Sequence, residues 1–207
     1  MNDRTSVNEQ IAMASTDKSV AISTVGYMCI AISWWMTGML LAGWFKPVAN
    51  IGIDTSTLYG VGSVLLVIMG ILSLAYGRRV LDAIVFLATA GLFFSLHNGS
   101  GGFFTGGVPS AYIGWWGLVW AVFFCYLWIA SFRTGDTTRM LFLLLFWLGA
   151  LALAISGWTG NDGFYILGGY LLLVTAILAF IVSAAAVLTY HPDTIFRKNV
   201  KSGSTPA

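Results

Sequence analysis

Few residues in this chain carry reactive groups, and their spacing rules out most chemistry. His97 and His191 fall at opposite ends of the apolar region, so they cannot share a metal, and no serine has a His/Asp partnership placed by motif. Cys29 and Cys125 lie inside apolar runs with no histidine or carboxylate beside them and read as small buried hydrophobes. Asp82 has Arg78 and Arg79 within one helical turn and stands where a helix N-terminus favours negative charge. It is expected to form a local ion cluster that pins a loop, with proton transfer as the competing role. The stretch NGSGGFFTGGVPSAY, residues 98 to 112, lacks the Gly-Lys-Ser/Thr ending of a phosphate loop. No catalytic residue, metal, cofactor or nucleic acid is expected, and the chain does not read as an enzyme.

What remains is a set of hydroxyls inside apolar segments, among them Ser23, Thr24, Ser33, Thr37, Ser63, Thr89, Ser95 and Ser183. Most can bond to their own helix backbone. If some converge, they offer a weak hydrogen-bonding route for a small neutral solute or a protonated acid.

The elements that must hold these groups are membrane helices. Hydrophobic residues make up 58% of the 207 and charged residues 9%, against about 25% charged in soluble domains. Six continuous apolar runs, near residues 21 to 45, 57 to 76, 80 to 97, 112 to 132, 140 to 158 and 164 to 190, each approach the roughly 20 residues that cross a bilayer as a helix. They lack the alternation of a transmembrane strand. The predicted fold is all-α: a polytopic membrane protein whose six transmembrane helices form three hairpins. A polar tail at 1 to 20 precedes the helical domain at 21 to 190, and a second tail at 191 to 207 follows it. No cleavable signal peptide is visible, because the first apolar run is too long for an h-region.

Nine of the ten basic residues flank the same side of the bundle and only Lys46 the other, which puts both termini in the cytoplasm of a plasma (inner) membrane. The glycine-rich stretch then joins the third and fourth helices externally, either as a flexible connector or as a cap folded over the bundle. Tyr59, Tyr112 and Tyr165 recur every 53 residues at the external start of each even-numbered helix, as parallel repeats or as belt aromatics at one depth would. Gly38, Gly62, Gly70, Gly117, Gly149, Gly168 and Gly169 punctuate the spans and let helix backbones approach. Trp34, Trp35, Trp115, Trp116 and Trp120 read mostly as lipid-facing or interfacial residues.

The segment YIGWWGLVWAVFFCYLWIASFRTGDTTRMLFLLLFWLGALALAISG resembles the acetate uptake transporter family, of the succinate-acetate permease type. The resemblance lies in its Y-x-G-x-W-G opening, its W-I-A-S-x-R helix end and its L-A-I ending. It continues in GGYLLLVTAILAFIVSAAAVLTYHP, and LATAGLFFS places Gly91, Phe93 and Phe94 on that family's T-S-Y-G-x-F-W segment. The family's N-P-A-P-L-G-L would fall on residues 18 to 24, which read KSVAIST, so the chain is a divergent match. The resemblance implies a pore constriction at Tyr27, Ala90 and Phe146, a hexamer, and acetate-like monocarboxylates as solutes.

The expected function is therefore a channel or transporter for short monocarboxylates, proton-coupled or passive. Tyr27 and Phe146 would form a hydrophobic gate, and Thr24 and Thr89 would supply hydrogen bonds. The alternatives are a hexameric channel for small neutral solutes such as urea or amides, and a structural subunit of a membrane complex that transports nothing.

Overall fold

The computed structural model describes the backbone of residues 2–44, 55–77, 80–103 and 109–188, and the side chains of 18–44, 57–76, 80–97 and 109–188. Lys46, Arg78, Arg79, His191 and residues 104–108 lie outside the described residues. Among the described residues there are six α-helices: α1 (Asn2–Leu41), α2 (Thr55–Leu72), α3 (Val80–Phe103), α4 (Ser110–Ser131), α5 (Thr137–Thr159) and α6 (Asp162–Leu188). In hydrocarbon no water satisfies backbone groups, so unbroken i to i−4 bonding is the structure that long apolar runs can adopt. All six helices contain a segment long and apolar enough to cross a membrane, from Lys18–Leu41 in α1 to Asp162–Leu188 in α6. The molecule is a multi-pass membrane protein.

Helix ends follow local chemistry. Asp136 caps α5: its Oδ1 accepts hydrogen bonds from the backbone N–H groups of Thr138 and Arg139, at 3.1 and 3.2 Å. Gly160, at φ +66°, closes the same helix in the left-handed region, where other residues are strained. α1 is 40 residues long, so its helix extends back through the polar stretch that the sequence assigned to a tail. α3 likewise runs to Phe103, into the glycine-rich segment. The external cap expected of that segment falls largely outside the described residues.

The helices pair as α1 with α6, α2 with α3 and α4 with α5, and α5 also packs on α6. Two of the pairs are sequence hairpins, and the first and last helices make the third. Where they cross, backbones nearly touch. A Cβ on Gly157 of α5 would stand 2.8 Å from the Gly114 Cα of α4, and one on Gly169 of α6 would stand 2.8 Å from the Leu41 carbonyl carbon of α1. Alanine in a helix interior normally gains about 1 kcal/mol over glycine. At Gly157 the sign is reversed, because the neighbouring atoms are backbone and cannot give way. Gly157→Ala should lower the melting temperature of the detergent-solubilised protein. Gly91→Ala, whose Cβ would meet only Trp120 at an ordinary 3.5 Å, should leave it unchanged or raise it.

α2 and α4 keep the largest unburied apolar faces, including Val61, Val64 and Ile71 on α2 and Trp115, Val119, Val122 and Tyr126 on α4. The core is formed mainly by α1, α3, α5 and α6, with Tyr59 and Leu66 contributed by α2 and Phe124 and Leu127 by α4.

Candidate functional site

A ladder of aromatic rings fills the middle of the bundle. Tyr27 of α1 sits edge-on to Phe86 of α3 and to Phe142 of α5, with ring centroids 5.2 and 5.7 Å apart. Phe142 continues to Phe146 at 5.9 Å, Phe146 to Trp34 at 4.9 Å, and Trp34 to Phe93 at 5.2 Å. Phe124 of α4 is jammed against Phe146, its centroid only 3.8 Å away. Every ring named is essentially buried. Edge-to-face packing of this kind contributes about 0.5 to 1.5 kcal/mol per pair beyond the area buried, so the ladder is a stiff plug.

Open space lies at both ends of the plug. At the end where α1 enters and α6 leaves, a vestibule of about 240 Å³ is lined by Val20, Val182, Ala185 and Ala186 on one side and by Asp136, Thr138 and Arg139 on the other. Toward the opposite end lies a chamber of about 20 Å³, bounded by Trp34, Thr37, Leu41, Leu96, Ile113, Trp116, Leu153 and Tyr165. A single water needs about 10 to 15 Å³ by this measure, so the chamber takes roughly one. The Trp34 indole Nε1–H is buried and has no hydrogen-bond partner among the described residues. A buried donor left unmade costs about 1 to 3 kcal/mol, and such exceptions occur where a solute or water completes the site. Thr37 gives nothing further, because its hydroxyl meets the Ser33 carbonyl at 2.7 Å and the Tyr59 hydroxyl at 2.7 Å.

A polar cluster stands between vestibule and plug. Asp82 is the third residue of α3, and its side chain is wholly inside the protein. Its Oδ1 accepts the Tyr27 hydroxyl at 3.0 Å and its Oδ2 accepts the Ser23 hydroxyl at 3.1 Å. Arg139 Nη2 of α5 lies 3.3 Å from the same Oδ2. Arg139 Nε is 3.2 Å from Asp136 Oδ2 without hydrogen-bond geometry, so that second pairing is electrostatic. The expected loop-pinning cluster of Asp82 with Arg78 and Arg79 falls on arginines outside the described residues. Among the described residues, Asp82 is a buried carboxylate that joins α1, α3 and α5.

The residues singled out from sequence are distributed as follows. Tyr27, Ala90, Phe93 and Phe146 are all buried in the core, with Tyr27, Phe93 and Phe146 in the ladder. Thr24 and Thr89 give their hydroxyls to the carbonyls of Val20 and Val85, at 2.9 and 2.8 Å. Gly91 lies on the outer surface of the protein, as does Phe94, which is 59% exposed. Trp34, grouped with the lipid-facing tryptophans, is instead only 3% exposed, whereas Trp115 is 62% exposed. Phe86, Phe124, Phe142 and Arg139 went unrecognised. A helical-period count would have put Phe142 and Phe146 one above the other on α5, four residues apart. The three tyrosines spaced by 53 residues have diverged, with Tyr59 buried, Tyr165 beside the chamber and Tyr112 exposed.

No known family pattern matches this chain, and no curated protein matches it in sequence. Its structure, however, is similar to that of the bacterial acetate channel SatP, with a TM-score of 0.70, covering 81% of this chain and 91% of that one at 16% sequence identity. At that identity the likeness speaks to architecture, and the conclusion is that this chain has the six-helix fold of the acetate channel.

Proposed function

We propose that the protein is a channel or transporter that passes short monocarboxylates such as acetate through each protomer. The reading also places its termini in the cytoplasm and six copies together in the plasma membrane. The observation that carries it is the aromatic plug, flanked by a vestibule on one side and a small, mostly apolar chamber bordered by Trp34 on the other, in the fold of an acetate channel. A constriction of rings excludes hydrated ions by dewetting and admits small solutes whose hydration is easily shed. An acetate-sized molecule has one apolar end and one polar end, and the vestibule offers Val20, Val182 and Ala185 to the first and Thr138 and Arg139 to the second. The exposed apolar faces of α2 and α4 suit both lipid and neighbouring copies.

The test is uptake of radiolabelled acetate and of urea into proteoliposomes, with and without an imposed pH gradient. Acetate entry above protein-free vesicles supports the reading, and a response to the gradient identifies coupling to protons. Urea entry without acetate entry transfers the assignment to neutral solutes, and no entry of either leaves a structural subunit. Within the carboxylate reading, Trp34→Phe keeps a ring in the ladder and removes the lone Nε1–H. Acetate flux should fall about tenfold, as expected for a lost hydrogen bond to a charged group of about 1.5 kcal/mol, while flux of neutral solutes is unchanged.

A further inference from the structure

Tyr27 belongs to two systems at once. Its ring is the first of the ladder met from the vestibule, with Arg139 of the vestibule wall 5.8 Å from the ring centroid. Its hydroxyl leaves the ladder to reach Asp82 Oδ1 at 3.0 Å. The rings that Tyr27 touches, Phe86 and Phe142, carry no hydroxyl, so filling the space calls for phenylalanine here as well. A ring held only by other rings has packing alone to give up when it changes rotamer, whereas one that donates to a buried carboxylate must break a charge-assisted hydrogen bond as well. Asp82 cannot follow the ring, because Ser23 and Arg139 hold its other oxygen.

We propose that Asp82 is the latch of the aromatic plug: by accepting the Tyr27 hydroxyl it holds that ring across the passage and keeps the protomer shut. Opening is a swing of Tyr27 away from Phe86 and Phe142, and the Tyr27 to Asp82 hydrogen bond sets how seldom it happens. Asp82 is thus a positioning residue that acts through Tyr27, and the inference rests on the transport reading above.

The test removes the hydroxyl and keeps the ring. Tyr27→Phe is compared with the parent in two assays on the same proteoliposomes. The first is radiolabelled acetate flux. The second needs no solute: Ala90→Cys, on a background with Cys29→Ala and Cys125→Ala, is labelled with a small water-soluble methanethiosulfonate. Ala90 is buried two helical turns beyond Asp82 on α3. With the latch gone, both flux and labelling rate should rise about tenfold. A Tyr27 that serves only as packing predicts no rise in either, and that result overturns the latch. A parent without flux combined with faster labelling in Tyr27→Phe refutes transport and keeps the latch. A parent with flux and no change in either readout refutes the latch and keeps transport. Ser23→Ala, which loosens Asp82 without touching the ring, should raise labelling in the same direction by a smaller factor, and a fall in labelling would count against the latch.

Discussion

Arg139→Gln should destabilise the protein more than any other substitution at the vestibule end of the bundle, lowering the melting temperature in detergent by about 6 to 12 °C. The reason is what the substitution leaves behind. Asp82 is fully buried and Arg139 is only 15% exposed, so water cannot take over when the guanidinium goes. Removing one partner of a buried ion pair costs about 3 to 5 kcal/mol, because the remaining charge stays in a medium that solvates it poorly. About 3 kcal/mol corresponds to the shift given for a chain of roughly 200 residues. The same reasoning predicts partial rescue: Arg139→Gln with Asp82→Asn removes both charges and should recover more than half of the loss. Equal melting points for the single and double variants, read by fluorescence-detected size exclusion after heating, would show that the two side chains are not energetically coupled. Asp136 is not the equivalent of Asp82 here, since its carboxylate is partly exposed and its main bonds are to the α5 backbone. Asp136→Asn should therefore cost far less.

Much of the architecture was legible in the sequence because lipid leaves so few options. Runs such as LLLVTAILAFIVSAAAVL can satisfy their backbone only as helix, and six of them make a six-helix bundle by count. Helix packing was harder to read, since apolar residues face lipid and protein alike and carry no inside-out signal. Trp34 and Trp115 show the difficulty. Both are tryptophans in apolar runs, yet one lies in the core and the other on the outer surface. Phe93 and Phe94 repeat the lesson at adjacent positions, where a step of about 100° around α3 carries the chain from ladder to periphery.

The site was only half legible for a related reason. Tyr27 and Phe146 were singled out through the family resemblance, but their connection runs through Phe142, which has no motif around it. Asp82 was visible as a charge near two arginines in sequence, and proximity along the chain suggested local pairing. The two arginines lie outside the described residues; of the partners seen, Ser23 and Tyr27 are 59 and 55 residues away and Arg139 comes from another hairpin, so tertiary packing is what brings these together. The hydroxyls behaved as local chemistry dictates: Thr24, Thr37, Thr89 and Thr175 all donate to the carbonyl four residues back.

Phe146→Ala should open the passage, raising acetate flux at least tenfold and admitting longer acids such as butyrate. Phe146 is where the ladder is thickest, since it meets Phe124, Trp34 and Phe142 from three different helices. Truncating a buried phenylalanine typically costs about 3 to 5 kcal/mol and leaves a void, because a close-packed interior relaxes only in part. Here the void falls between the vestibule and the Trp34 chamber, so it shortens the barrier that separates two spaces already present. Phe146→Leu fills most of the same volume and should give a much smaller rise. Phe94→Ala removes an equal number of atoms from the outer surface and should leave flux as it was. The three variants thus separate a gate from general loosening of the bundle. If Phe146→Ala and Phe146→Leu lower stability in proportion but neither raises flux, the rings hold the helices together and the solute takes another route. If flux rises for Phe146→Ala alone, the ring at position 146 is the barrier.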